Sequence, residues 1–414
     1  VTETTITISI AAINDAPVVD NTKNPRLNTI EEDEVSNNGM LVGDFLANNP
    51  GTITDVDLPA DPRGLAIIAA DNTNGVWQYQ VAAGSWTSFV DGGPLSANSA
   101  LLLAADATTR IRFVPNTNAP SFTPDTNFHG ESTFTFHAWD QSNLATNGAR
   151  GTVTGNTGGA NAFSVDSETA TLTITAINDA PEILLVDTVT PATTILDAAS
   201  TYTVTTNEDT ELVFQASSRR GLVIADVDVD ETTTPGNIVQ VALTVTNGTV
   251  SLDAAALANL NFTIGDGADD VTMTFTGTLV AVNDALDALK YIPNSDFNDD
   301  FGQETLAIAV SDLGHSGLPN AMTTETTITI SVTPVNDAPV VNVASNPSLP
   351  SIAEDPTVND GILVRDFITA TAGTITDADC PVTGCDFTSL RQRMGLAVVA
   401  ADNVHGVWQY QTVV

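Results

Sequence analysis

The chain alternates threonine with apolar residues over long stretches. Thr5–Ile10 (TITISI), Ser132–Trp139 (STFTFHAW), Thr171–Ile177 (TLTITAI) and Thr272–Val280 (TMTFTGTLV) keep a period of two. That is the pattern of strands with one face in a core and one in water. There are about 60 threonines, and β-branched side chains suit a half-buried pleated surface. Turn signals recur at short spacing, as Asn74-Gly75, Gly92-Gly93, Asn247-Gly248 and Asp266-Gly267. Gly155–Gly159 (GNTGG) reads as a loop. One short helix is predicted over Asn283–Leu289, with Asn283 as its cap and Leu286 and Leu289 on one face. The fold class expected is therefore all-β, built of antiparallel sandwiches.

The chain also repeats itself. TETTITISIAAINDAPVV at Thr2–Val19 returns as TETTITISVTPVNDAPVV at Thr324–Val341. Gly51–Asp57 returns at Gly373–Asp379, and Gly64–Gln80 at Gly395–Gln411. A weaker, shorter period runs inside this one. Asn-Asp-Ala-Pro tetrads begin at Asn14, Asn178 and Asn336. Before the second and third, Arg110–Asn116 resembles Leu289–Asn294, and the stretch ending at Asp140 resembles the one ending at Asp312. The layout expected is residues 1–13 as the last strand of a preceding repeat, 14–177 as a repeat of type A, 178–335 as type B, and 336–414 as the first half of a second A. The sequence reads as a window on a longer repeating polypeptide. Pro17, Pro181 and Pro339 each remove a backbone donor and hold the preceding alanine extended. No sheet runs unbroken through such a point, so successive domains should stack closely as an extended rod. A repeat of ~160 residues exceeds the ~100 of an immunoglobulin-like sandwich, which predicts extra strands or a second small sheet in each.

Charge narrows the function. Of 414 residues, 12 are Lys or Arg and 51 are Asp or Glu, a formal net charge of −39. So acidic a surface repels phosphate backbones and argues against nucleic-acid binding. No apolar run approaches the ~20 residues of a membrane span, so no membrane insertion is expected of this segment. No signal peptide is visible. At 42% hydrophobic the chain is not a disordered acidic tail. A fold carrying this charge needs it neutralised or spread out, and bound divalent cations do so directly. Cys380 and Cys385 lie in one loop, inside an insertion in the second A between Asp379 and Gly395. With no other cysteine, a thiolate metal framework is excluded. A local disulfide is the favoured reading, with free thiols the alternative, and it fits an oxidising, extracellular setting.

The acids recur as a set. Type A carries Asn14 and Asp15, then Glu31, Glu32 and Asp33, then Asp55 and Asp57, then Asp140. Type B carries Asn178 and Asp179, Glu208 and Asp209, then Asp226, Asp228 and Asp230, then Asp312. The second A carries Asn336 and Asp337, Glu354 and Asp355, then Asp377 and Asp379. Calcium takes six to eight oxygens from carboxylates, carbonyls and water. One ion held by loops of two adjoining domains would neutralise several acids and fix the angle between them. A single Asp in a β-protein loop is most often a turn residue bonded to its own backbone, so the weight lies on the recurrence. Asp226–Asp230 opens like an EF-hand loop, but Glu231 replaces the turn glycine and Asn237 the final glutamate, so that motif is rejected.

The INDAP motif, an early Glu-Asp, a paired Asp-x-Asp and a late Asp before a loop resemble the bacterial cadherin-like repeats of giant calcium-dependent surface and secreted adhesins. GTLVAVNDALDALKYIPNSDF in type B is especially similar to that class. The resemblance covers essentially the whole chain. It implies immunoglobulin- or cadherin-like sandwiches, Ca2+ at the junctions, and a role in adhesion, biofilm or surface fibres. By analogy, Asn178, Asp179 and Asp140 would share one site with Asp226 and Asp228. Asn336, Asp337 and Asp312 would share the next with Asp377 and Asp379. The early Glu-Asp pairs would complete each shell.

Enzyme readings find no support. No G-x-S-x-G, H-E-x-x-H or phosphate-cradling loop is present, and His129, His137, His315 and His405 are scattered. Among so many acids a glycosidase pair cannot be told from chance. Trp77 and Trp408 occupy equivalent strands and read as core; Trp86 and Trp139 are open to a sugar-platform role. Two sequons begin at Asn247 and Asn261. The expectation is a non-catalytic extracellular structural protein, secreted or attached to the cell surface. It would be a calcium-rigidified stalk whose partners are neighbouring repeats of the same polypeptide. Identical chains in a filament, sheath or surface layer, with Thr2–Ile10 as a donor strand, are one alternative. An array of modules binding surface glycans is the other.

Overall fold

A computed structural model describes residues 6–34, 36–57, 63–115, 128–187, 192–196, 202–215, 220–229, 237–314, 321–354, 356, 358–370, 374–379 and 395–412. Cys380, Cys385, Asp355 and Asp230 lie outside the described residues. The fold is all-β, with three short α-helices and one 3-10 turn among the described residues. The chain forms two compact units. One comprises Val1–Glu182, Ile224–Gln240 and Val310–Thr324, and the other Ile183–Val223, Val241–Ala309 and Glu325–Val414.

In the first unit the strands are β1 (Val18–Val19), β2 (Ile30–Glu31), β3 (Met40–Leu41), β4 (Ile53–Thr54), β5 (Gly64–Ala70), β6 (Gly75–Gln80), β7 (Thr87–Ser88), β8 (Ala100–Ala104), β9 (Arg110–Pro115), β10 (Gly130–Trp139), β11 (Arg150–Gly151) and β12 (Phe163–Thr175). A helix α1 (Val42–Asn48) follows β3. One sheet runs β11-β8-β5-β10-β12-β2, the other β3-β9-β6-β7, and β1 pairs with β4. Alternation along β10 and β12 turns Phe134, Phe136, Leu172 and Ile174 into a core shared with Trp77, Ile111 and Phe113 of the other sheet. Trp77 stands at its centre, with ring centroids 5.1 Å from Phe134 and 5.3 Å from Phe113. Its indole N–H donates to Ser132 Oγ at 2.9 Å, and that hydroxyl donates to the carbonyl of Asp71 at 3.1 Å.

β8 (ALLLA) does not alternate, because both of its faces are buried. Ala66, Leu102, Trp139 and Phe163 form a second apolar cluster, with Val153 and Ala162 from the segment between β10 and β12. That third layer is where much of the extra length of the repeat is spent. Arg150 fastens the segment, its guanidinium donating to the carbonyls of Ser99, Phe89, Asp91 and Gly93 at 2.6–3.1 Å.

The strands that follow are β13 (Glu182–Asp187), β14 (Ala192–Leu196), β15 (Tyr202–Asn207), β16 (Leu212–Phe214), β17 (Gly221–Ala225), β18 (Ile238–Thr244), β19 (Gly248–Ser251), β20 (Asn261–Ile264), β21 (Thr272–Thr278), β22 (Leu289–Pro293), β23 (Glu304–Ser311), β24 (Thr323–Thr333), β25 (Val340–Val341) and β26 (Ile375–Thr376). A second six-stranded sheet runs β15-β24-β23-β18-β21-β20, and β16-β22-β19 and β14-β13-β17 form smaller ones. In the second unit, Glu304, fully buried, stands where the sequence correspondence puts Ser132, and Tyr291 where it puts Phe113. The Glu304 carboxylate accepts from the amides of Thr246 (3.1 Å), Asn247 and Thr305 (2.8 Å) and from Thr246 Oγ1 (3.0 Å). Tyr291 Oη donates to the carbonyl of Asn247 at 3.1 Å.

The expected helix begins earlier than Asn283. It is α2 (Leu279–Leu286), capped by Thr278, whose Oγ1 accepts from the amide of Ala281 at 3.2 Å, while Leu289 opens β22. A hydroxyl free to bond the helix's third amide outcompetes an asparagine inside it. Thr278→Ala should cost about 1 kcal/mol, read as a lower denaturant midpoint at unchanged slope. Two helices not foreseen, α1 and α3 (Val364–Ala370), occupy corresponding places in the repeated sequence.

Identical patterns also meet different fates. Thr323–Thr333 forms β24 between β15 and β23. Residues 6–13, nearly the same sequence, are not in a strand, and Ile6, Ile8 and Ile10 are more than 80% exposed. Likewise Trp77 is buried, whereas Trp408 is 62% exposed and its ring N–H donates to the carbonyl of Asp402. The core placement read for Trp408 does not hold here. β5 and β6 are held by β8, β9 and β10, and the counterparts of those three are not among residues 395–414.

Candidate metal centres

Three acidic clusters are built on one plan. The amide of the tetrad aspartate donates to the second carboxylate of the Asp-x-Asp pair: Asp15 to Asp57, Asp179 to Asp228 (2.5 Å) and Asp337 to Asp379 (2.8 Å). That second aspartate donates its own amide to the first, Asp57 to Asp55 (3.0 Å), Asp228 to Asp226 (3.0 Å) and Asp379 to Asp377 (3.1 Å). The tetrad asparagine donates its side-chain amide to the late aspartate, Asn14 to Asp140 at 2.9 Å and Asn178 to Asp312 at 2.6 Å. In the third cluster Asn336 Nδ2 donates to the carbonyl of Asp337 at 2.8 Å. The proline that closes each tetrad ends the run of the sheet, so the Asn-Asp pair is left with amides to give.

The late aspartates therefore sit with the tetrad that opens their own repeat. Asp140 joins Asn14 and Asp15 rather than Asn178, and Asp312 joins Asn178 and Asp179 rather than Asn336. The early Glu-Asp lies at the other end of its repeat. Glu32 Oε1 accepts the amide of Ile177 at 2.7 Å, and Glu208 Oε1 accepts that of Val335. Glu32 and Asp33 thus join Asn178 and Asp179; Glu208 and Asp209 join Asp337. Glu354 is exposed.

The second cluster is the most buried. Glu32, Asn178, Asp228 and Asp312 are each no more than 2% exposed. Asp312 Oδ1 closes its own loop, accepting the amides of Gly314 (2.8 Å) and Met322 (2.7 Å). Asp226 Oδ2 is buried with no hydrogen-bond partner. Burial, followed by the charges of Asp228, Asp312 and Asp179, pushes the Asp226 carboxyl up to about 7, although the amide of Asp228 opposes the rise. Asp33 is raised by burial and by Asp179 and Glu31. A buried carboxylate oxygen without a donor, facing further carboxylates, fits a hard cation that prefers oxygen.

The third cluster contains residues that sequence reasoning missed. Carboxylate oxygens of Glu208, Asp337 and Asp379 lie within 4.8 Å of one another, and so do those of Asp209, Asp296 and Asp337. Asp337 is raised by desolvation, then by Asp296, Asp379, Asp209 and Glu208. The available signal for Asp296 was the acid-rich run after Pro293 (NSDFNDDFG). His129 was another omission, its Nδ1 standing 3.8 Å from Glu32 Oε2. Trp77 and Trp139 are buried, and Arg112 covers the Trp86 ring at 4.1 Å.

No family model matches the chain, and no curated protein matches it in sequence. Solved structures similar to it include human CDH23 EC21-23, at 14% identity over 90% of this chain and 81% of that one, TM-score 0.34. Human mucin-like protocadherin EC1-2 is similar at 12% identity over 75% of this chain and 97% of that one, TM-score 0.27. CfaE, the adhesive subunit of the CFA/I fimbria of enterotoxigenic Escherichia coli, is similar at 10% identity over 79% and 100%, TM-score 0.24.

Proposed function

We propose that this chain is a non-catalytic, extracellular run of cadherin-like β-sandwich repeats from a bacterial surface adhesin, stiffened by calcium at the repeat junctions. The observation that carries the reading is one hydrogen-bonded acidic constellation built three times at matching places in the repeats. The buried, partnerless Asp226 Oδ2 adds to it. Glu32, Asp179, Asp226 and Asp228 would hold an ion in the second cluster, and Glu208, Asp337 and Asp379 one in the third. The ion supplies positive charge where carboxylates converge. The chain's own part is to orient the acids, through the tetrad amides and the Asp-x-Asp turn. Stability in such an array is local to each repeat and its neighbours. Stiffening the junctions therefore turns independent domains into a spacer that carries load or projects a distant binding tip.

Calorimetric titration of the EDTA-stripped chain tests this. Calcium should bind at more than one site, more tightly than magnesium, which demands octahedral geometry and gives up water reluctantly. Small-angle scattering should show an extended particle with calcium and a more flexible one without. Absence of binding heat at millimolar calcium, with identical scattering, would sink the calcium reading.

A further inference from the structure

Asn298 is not an acid and belongs to no tetrad, yet it is 2% exposed beside the third cluster. Its Nδ2 donates to Glu208 Oε2 at 2.8 Å, and its Oδ1 accepts the amide of Asp300 at 3.0 Å. Glu208 Oε1 meanwhile takes the amide of Val335. The Glu208 carboxylate is thus gripped on both oxygens, by the peptide leading into the Asn336 tetrad and by the loop after β22. That loop is itself fastened to β24. Asp299 Oδ1 accepts the amide of Val332 at 3.0 Å, Asp299 Oδ2 accepts Ser331 Oγ at 2.7 Å, and the amide of Asp299 donates to the carbonyl of Val332 at 2.9 Å. Asp296, two residues before Asn298, donates its amide to Asp209 Oδ1 at 3.2 Å.

We propose that Asn298 is a positioning residue for the third cation site: through Glu208 it fixes the carboxylate that meets Asp337 and Asp379, and the Asp299 staple keeps it there. This rests on the calcium reading above. The physical basis is general. A ligand carboxylate free to rotate loses entropy when it is captured, whereas one already held by a buried amide does not, and removing such an outer partner costs about 10–100-fold in metal affinity.

The test is calcium titration of the full chain as wild type, Asn298→Ala and Asn298→Asp. Asp379→Asn identifies the heat of the third site by removing it, and Asp226→Asn identifies the second. Either Asn298 variant should weaken the class that Asp379→Asn abolishes by about 10–100-fold and leave the class that Asp226→Asn abolishes unchanged. Asn298→Asp matters because it keeps the side-chain volume while exchanging the donor that holds Glu208 for a second carboxylate, and an unchanged far-ultraviolet circular dichroism spectrum shows that a variant has folded. Placed on Glu208→Gln, Asn298→Ala should produce no further loss, because the carboxylate it positions is gone. Wild-type affinity at the third site in both single variants would overturn the proposal. An equal loss at both sites would do the same, since it marks general destabilisation. Failure of the wild type to bind calcium would refute the functional reading instead, so the two failures are distinct.

Discussion

Asp226→Asn should move the melting temperature in opposite directions with and without calcium. In calcium-free protein the native Asp226 places a buried oxygen among Asp228, Asp312 and Asp179 with nothing to bond it. An asparagine of the same shape carries no charge and offers two donors to those acids. The calcium-free variant should gain about 1 kcal/mol, or roughly 2–4 °C. With calcium the sign reverses, because a charged ligand has gone. A loss of about 100-fold in affinity corresponds to about 2.7 kcal/mol at saturating ion. The pH dependence follows from the same group. Its carboxyl titrates at about 7 in the calcium-free fold against an ordinary value of 3.8. Between those values the folded state holds a proton that the unfolded state has released, so this group's contribution to stability is largest at the acidic end and falls as pH rises to about 7. Calcium must displace that proton, so its affinity should drop below neutrality with about one proton released per ion. Asp226→Asn should remove both slopes. Melts at pH 5 and pH 8 in EDTA, and titrations in buffers of different ionisation heat, read these out. A variant that melts lower than wild type under every condition would contradict the account of Asp226.

Calcium itself should give the largest single shift. An ion at 1,000 times its dissociation constant stabilises the folded state by about 4 kcal/mol per site. For a unit of this size that is roughly 8–16 °C. The shift should exceed what sodium chloride gives at equal ionic strength, because screening acts weakly on buried groups. Two transitions in the melt, each moved by calcium, are expected from two compact units with clusters of their own. An EDTA curve that overlays the calcium curve would leave the acids as hydrated turn residues.

Much of this was legible in the sequence, for identifiable reasons. Period-two threonine runs gave β10, β12, β21 and β24, because a strand with one face in a core and the other toward solvent imposes that period. The same run failed at residues 6–13, because alternation encodes which face is buried and not whether a partner is at hand. β8 was invisible as a pattern, since burial on both faces erases alternation. In the clusters, recurrence picked out the tetrads, the Asp-x-Asp pairs and the late aspartates, and the structure assigns each to a shared geometry. What recurrence could not give was which end of a repeat each acid occupies. Asp140 and Glu32 are about 100 residues apart in one repeat and belong to different clusters, a matter of strand direction that local spacing does not carry. Asn298 and Asp296 escaped because they act from a loop whose counterpart in type A differs in length and composition.

The buried polar groups beneath the Asn74 and Asn247 turns carry a different consequence. One repeat closes that spot with an indole on a serine, the other with a phenol and a glutamate that gathers three peptide amides. The strand bearing Glu304 would bring a carboxylate under Trp77, where no such amides wait. The strand bearing Ser132 would leave the turn at Asn247 without its acceptor. Neighbouring repeats in a tandem chain are each other's most concentrated source of misfolding, by strand exchange during synthesis. Here the near-identical sequences Gly64–Gln80 and Gly395–Gln411 are separated by a stretch whose buried polar partners differ from those of Trp77. In a tandem array such a mismatch would act as a kinetic safeguard, keeping each sandwich to its own strands while it folds.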